Sequence, residues 1–151
     1  MENSIRPAEG RVLAIDYGSR RIGIAVSDPL GITITQLPAI RREGDRKDIE
    51  AIANIAAEYE VSSVVIGLPI HTDGTEGVQA ARAKSFGAKV AERLNLPVMP
   101  WDERLTTAQA ERCLIDAGMR REKRKEARDS LAAALILSSA LDAAGRKQCR
   151  K

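Results

Sequence analysis

Arg11-Val12-Leu13-Ala14-Ile15-Asp16-Tyr17-Gly18-Ser19-Arg20-Arg21-Ile22-Gly23-Ile24-Ala25-Val26-Ser27-Asp28 is the stretch that decides how the whole chain is read. Residues 11–17 have strand character, Gly18-Ser19-Arg20 is a turn, and residues 21–28 form a second strand. A link this short makes an antiparallel hairpin the natural connection. Asp16 stands at the end of an apolar strand. A carboxylate there is costly unless something uses it, because isolated buried charge is strongly disfavoured.

Outward from the hairpin, residues 32–40 set Ile32, Ile34 and Leu37 against Thr33 and Thr35, a third strand. Pro38 puts that strand at a sheet edge. The period then changes: Ile49, Ile52, Ala56 and Tyr59 recur at helical spacing, with Asp45 as the expected N-cap. Residues 61–68 are an apolar run of buried, parallel type. Residues 76–94 carry Ala83, Phe86, Val90 and Leu94 on one helical stripe, and residues 97–101 make a fifth strand. Thr106 with Gln109 fits a capping box, and Gly118 fits a helix stop. A basic loop over 119–128 precedes a last helix over about 129–143. Its expected inner side is Leu131, Ala134, Leu135 and Leu141, widened by Ile136 and Leu137.

The order β-β-β-α-β-α-β-α-α implies an α/β fold, a five-stranded mixed sheet flanked by helices. Crossover helices make strands 1, 4 and 5 parallel. Their carboxyl ends then share one edge, the edge at which ligands bind in open α/β sheets. Asp16, the Gly67-Leu68-Pro69 segment and Asp102-Glu103 arrive there, and the last helix would bring Asp129 with its N-terminus. Carboxylates meeting at one edge point to a divalent-metal site, since hard cations take oxygen ligands and share them with phosphates. Pleating sends Asp102 and Glu103 to opposite sides, so the two compete for one role.

The 151 residues suffice for one domain: a flexible N-terminus over 1–10, the domain over 11–143 and a basic tail over 144–151. Hydrophobic residues make up 44% and aromatics only 3%, so the core must be built from Ile, Val, Leu and Ala. No stretch reaches the ~20 apolar residues of a membrane span, and no signal-peptide pattern opens the chain; a cytoplasmic protein is expected. Cys113 and Cys149 form no close pair, which excludes a zinc ribbon and leaves free thiols. The charge is uneven. Residues 1–119 carry 14 Lys and Arg against 17 Asp and Glu, whereas residues 120–151 carry 10 against 4. Arg121, Lys123, Arg124 and Lys125 make a cluster that a polyanion such as nucleic acid would meet. Arg20 and Arg21 beside the Asp16 turn, and Arg104, are further candidates for phosphate contact; a solvated hairpin tip and a salt bridge are their plain alternatives.

Asp16-Tyr17-Gly18, Gly67-Leu68-Pro69 with Asp73-Gly74, Asp102-Glu103-Arg104-Leu105-Thr106-Thr107 and Asp129-Ser130-Leu131-Ala132-Ala133 occur in an order and spacing that resembles the YqgF family. These are pre-16S rRNA nucleases, also described as Holliday-junction-resolvase-like proteins. The resemblance covers about residues 11–143. It implies an RNase H-like fold and a bacterial cytoplasmic hydrolase in ribosome biogenesis, a nuclease trimming the 5′ end of the small-subunit rRNA precursor. It selects Asp16, Glu103 and Asp129 as the catalytic and metal-binding acids for Mg²⁺ or Mn²⁺. Asp16 would bridge two ions, and Glu103 and Asp129 would hold one each. The implied partners are pre-rRNA, structured DNA and the pre-ribosomal small subunit. One departure is His71, where the family commonly has Asn.

Three other readings share these residues. A resolvase acting on four-way DNA junctions keeps the site but calls for a symmetric dimer, because two symmetric cuts need two sites. An actin-like ATPase or sugar kinase has a similar Asp-Tyr-Gly-Ser phosphate loop, but binds nucleotide between two such domains, and 151 residues hold one. A non-catalytic RNA-binding assembly factor explains the basic cluster and leaves the acids unexplained, since acids weaken binding to a phosphate backbone unless a metal intervenes.

Overall fold

The computed structural model describes residues 10–69, 77–102 and 121–141. Five strands, β1 (Arg11–Tyr17), β2 (Arg21–Ser27), β3 (Ile34–Arg41), β4 (Val61–Leu68) and β5 (Val98–Asp102), form one mixed sheet in the order β3-β2-β1-β4-β5. The helices are α1 (Asp45–Glu58), α2 (Val78–Leu94) and α3 (Arg121–Leu141). β1 pairs antiparallel with β2 and parallel with β4, and β4 pairs parallel with β5. The hairpin, the parallel crossovers and the edge position of the Pro38 strand are as the sequence implies. The segment from Thr106 to Gly118, read as a helix, lies outside the described residues.

Strand alternation divides the core in two. Leu13, Ile15, Ile22, Ile24, Val64, Ile66 and Leu68 face α1 and α2, where they meet Ile49, Ile52, Ala56, Ala83, Phe86 and Val90. Val12, Ala14, Ala25 and Val65 face α3 and meet Ala133, Ile136, Leu137 and Ala140. Each fully buried Leu, Ile or Phe removes enough apolar surface from water to contribute about 1.5–3 kcal/mol. The α1/α2 face, richer in large side chains, therefore carries the greater share of hydrophobic stabilisation.

Four expectations are corrected. β3 begins at Ile34 instead of residue 32, because the Asp28 carboxylate accepts the backbone N–H groups of Ile32 (2.8 Å) and Thr33 (3.3 Å) and keeps them in the turn. Asp45 is the first helical residue of α1 and not its N-cap; Gly44 holds that position with φ +127°, a conformation only glycine adopts without strain. The Asp45 carboxylate is drawn instead to Arg42 and Lys89. The last helix begins at Arg121, so the segment expected as a basic loop is its first two turns. Arg, Lys, Glu and Ala, which fill residues 121–128, are all good helix formers. The inner row of α3 also differs from the expected one. Ala133, Ile136, Leu137 and Ala140 are at its centre with Ala134 and Leu141, while Leu131 and Leu135 are only half-buried. The sheet under α3 offers small residues, Ala14 and Ala25, against which alanines allow a close approach.

Candidate active site

The turn after β1 is built from its glycine outward. The Gly18 N–H donates to the Arg21 carbonyl (3.0 Å). A Cβ at Gly18 would lie 2.4 Å from that same oxygen, so no other residue fits. Arg42, just past β3, holds the turn from the α1/α2 side. Its Nη1 donates to the Gly18 carbonyl (3.0 Å), Nη2 to Asp45 Oδ1 (2.8 Å) and Nε to Asp48 Oδ2 (2.6 Å). The guanidinium lies 4.6 Å from the centre of the Tyr17 ring, which packs 4.7 Å from Phe86. Burial works against the Arg42 charge, but the hydrogen bond to Asp48 and the neighbouring Tyr17 outweigh it and hold the group above its ordinary value. Asp48 is buried and also accepts the Glu43 N–H (3.0 Å), so its charge is matched and its oxygens are used. This network was missed in the sequence. Its signal was there in Arg42, Asp45 and Asp48, whose spacing lets one guanidinium reach both carboxylates from the chain entering α1.

Asp16 lies on the opposite face, in line with Val12 and Ala14 and on the side covered by α3. Its register partner on β2 is Gly23 and its partner on β4 is Gly67. The half-buried carboxylate therefore sits at the end of the central strand, level with a glycine on each neighbouring strand. One strand further, Trp101 pairs with Gly67 and faces α3, where its Nε1–H donates to Ser139 Oγ (3.2 Å). Trp101 is thus tied into the α3 layer. Asp102 pairs with Leu68, whose side chain belongs to the other face, so Asp102 and Asp16 are on opposite sides of the sheet.

Asp129 is the ninth residue of α3, so it belongs to the body of the helix and not to its N-terminus, as had been expected. Arg121, Lys123, Arg124 and Lys125 fall in the same helix, and Arg20 is exposed at the β1–β2 tip. Glu103, Arg104, His71, Cys113 and Cys149 lie outside the described residues. Among the described residues no three His, Cys, Asp or Glu side chains come together as a metal-binding group. None of the described helices is long and apolar enough to cross a membrane.

A mixed five-stranded sheet in the order β3-β2-β1-β4-β5, covered on one face by a long helix, is an RNase H-like fold. Two structures of Thermus thermophilus RuvC share that frame. One, in complex with a Holliday junction substrate, superposes with a TM-score of 0.53 at 16% identity, covering 89% of this chain and 94% of that one. The other gives 0.52 at 16% identity over 88% and 95%. In sequence, residues 10–143 match the family model described as "RuvX: Holliday junction resolvase". A protein of Desulforamulus reducens named "Putative pre-16S rRNA nuclease" is 43% identical over 136 residues, 90% of this chain and 99% of its own length. A protein of the same name from Clostridium beijerinckii is 44% identical over 91% of this chain and 99% of its own. The chain belongs to the RuvX family, the YqgF family that its motifs resemble. As a member of a nuclease family it is a hydrolase of phosphodiester bonds.

Proposed function

We propose that this protein is a metal-dependent endonuclease that processes the 5′ end of pre-16S rRNA, with Asp16, Glu103 and Asp129 as its catalytic acids. The single observation that carries the reading is Asp16, a carboxylate closing the central strand between Gly23 and Gly67 on the face that α3 covers. The two glycines leave room beside it, and carboxylate oxygens are the donors that Mg²⁺ or Mn²⁺ prefers. Asp102 faces away from Asp16, and alternation favours its neighbour Glu103 for the Asp16 side. Position 129 falls on the helical row of Ala133, Ile136 and Ala140, the row that packs on the Asp16 face. Bound divalent ions would supply Lewis-acid stabilisation and an activated water. Asp16, Glu103 and Asp129 would hold them. Arg20, Arg104, Arg121, Lys123, Arg124 and Lys125 would bind the nucleic-acid backbone. The product ends would be 5′-phosphate and 3′-hydroxyl. Residues 11–143 would form the catalytic domain, working in the cytoplasm on the pre-ribosomal small subunit.

The test is cleavage of a labelled RNA spanning a small-subunit rRNA 5′ precursor junction with Mn²⁺, Mg²⁺ or EDTA, beside Asp16→Asn. Metal-dependent cutting that Asp16→Asn abolishes is the expected result. The family's description favours one second reading, resolution of four-way DNA junctions. If a DNA junction in the same assay is cut in place of the RNA, that reading replaces the first with the same site. RNA binding without cutting of either substrate would leave an assembly factor and sink the nuclease reading for this chain.

A further inference from the structure

Behind the Asp16 turn, on the α1/α2 side, is a hollow of about 420 Å³ between the β1–β2 tip, the start of α1 and the outer side of α2. Among the described residues no aliphatic side chain lines it. Part of its wall is chemically spent. Arg42 gives its donors to Gly18, Asp45 and Asp48, and Asp45 is matched by Arg42 and by Lys89 (3.1 Å). The Tyr17 ring is taken by the Arg42 guanidinium and by Phe86, so it offers no clear face for a nucleobase. What remains is a donor set: the Ser19 hydroxyl on the tip, and Gln79, Arg82 and Ser85 on α2. The three α2 residues recur every third position, on a row next to the buried Ala80, Ala83 and Phe86. Among the described residues none of these four makes a side-chain hydrogen bond or ion pair, and Arg82 is the surplus charge of the lining.

We propose that this hollow is a subsite for a backbone phosphate of the substrate strand outside the Asp16 site. The inference rests on the nuclease reading above. Hydroxyl, amide and guanidinium donors with one unmatched cation suit a phosphodiester, and the occupied ring disfavours a base. The location suits it too. Asp16 and Tyr17 are successive residues of one strand, so the hollow and the Asp16 face lie back to back across the strand end. A polynucleotide leaving Asp16 over the Gly18–Arg20 tip meets Ser19 first and Arg82 next. Arg82 would hold the phosphate by charge, while Ser19 and Ser85 would orient it.

The experiment is binding of a labelled single-stranded RNA to the full chain in EDTA across a KCl series, by fluorescence anisotropy. Wild type is compared with Arg82→Ala, Arg82→Lys, Ser19→Ala and Arg93→Ala. Arg93 lies on the same helix, but is paired with Glu50 and is not part of the hollow, so it controls for loss of one positive charge. Arg82→Ala should reduce the slope of log K against log salt by about 0.7, the loss of one phosphate contact on a single strand, and Arg82→Lys should keep the slope. Ser19→Ala should weaken binding severalfold with the slope unchanged, and Arg93→Ala should leave the slope at the wild-type value. Equal slope losses for Arg82→Ala and Arg93→Ala, or none for Arg82→Ala, overturn the subsite while the nuclease reading stands. Wild type that binds no RNA or DNA overturns both.

Discussion

The two faces of the sheet are built to different ends. Toward α1 and α2 the strands present Leu13, Ile15, Ile22, Ile24 and Ile66, closed over by Phe86, and the polar groups there are tied into the Arg42 network. Toward α3 they present Val12, Ala14, Ala25 and Val65, and the row at their carboxyl end reads Gly23, Asp16, Gly67, Trp101. One face buries volume and satisfies its charges internally. The other has a carboxylate level with two glycines, which bring no bulk beside it. The difference teaches that a single strand can divide its labour residue by residue: Ile15 and Tyr17 pack β1 against the α1/α2 face, while Asp16, between them, is turned to the other.

The sharpest way to break that comparison is Asp16→Asn. Cleavage should fall at least about 100-fold, because a metal-holding carboxylate contributes several kcal/mol to the reaction, while the protein stays folded by circular dichroism. An active Asp16→Asn enzyme would remove the functional assignment of that face. The reciprocal change on the other face is Phe86→Ala. It should cost about 3–5 kcal/mol in a denaturant titration through the cavity it leaves, and lower the melting temperature by roughly 2–4 °C for each of them.

Arg42→Met tests the join between the faces. It leaves the Asp48 carboxylate buried without its cation, which should cost about 3 kcal/mol or more. It also frees the Gly18 carbonyl, so the rate should drop by about tenfold or more even at temperatures where the variant is fully folded. A folded Arg42→Met enzyme with wild-type rate would show that the two faces are independent. Ser27→Ala comes next. Where the β1–β4 register shifts between Arg11 and Val12, the Val12 N–H donates to the buried Ser27 hydroxyl (2.9 Å), and losing that acceptor should cost about 1–3 kcal/mol by the same titration.

The smallest effect is at the far end of β2. The Ile32 N–H, with help from Thr33, holds the Asp28 carboxyl below its ordinary value of 3.8. A depressed folded value means that this contribution is present above the unfolded value and is lost as pH falls through the folded one. The Ile32 and Thr33 amide resonances should therefore shift only under acid conditions below that ordinary value, and Asp28→Asn should abolish the shift.

Much of this molecule was legible in its residues. Alternation over residues 11–17 and 32–40, the short turn between the first two strands and the apolar run 61–68 made the strands legible, and Pro38 marked the edge, because each is a local consequence of burying an extended chain. Asp16 stood out for the same reason, as a charge where an apolar side chain would cost nothing. Local pattern misplaced the start of α3, since basic residues near a glycine read as loop although Arg, Lys, Glu and Ala favour helix. Three matters belonged to the tertiary structure alone. Gly23 and Gly67 became the neighbours of Asp16 only through strand register. Arg42 reached the Gly18 carbonyl only when β3 came to lie beside the first hairpin. Ala133, Ile136, Leu137 and Ala140, and not Leu131 or Leu135, became the centre of the α3 interface because of what the sheet presented to them. Sequence determines periodicity and local cost; which side chains meet across strands is decided by packing, where residues far apart in the chain compete for the same space.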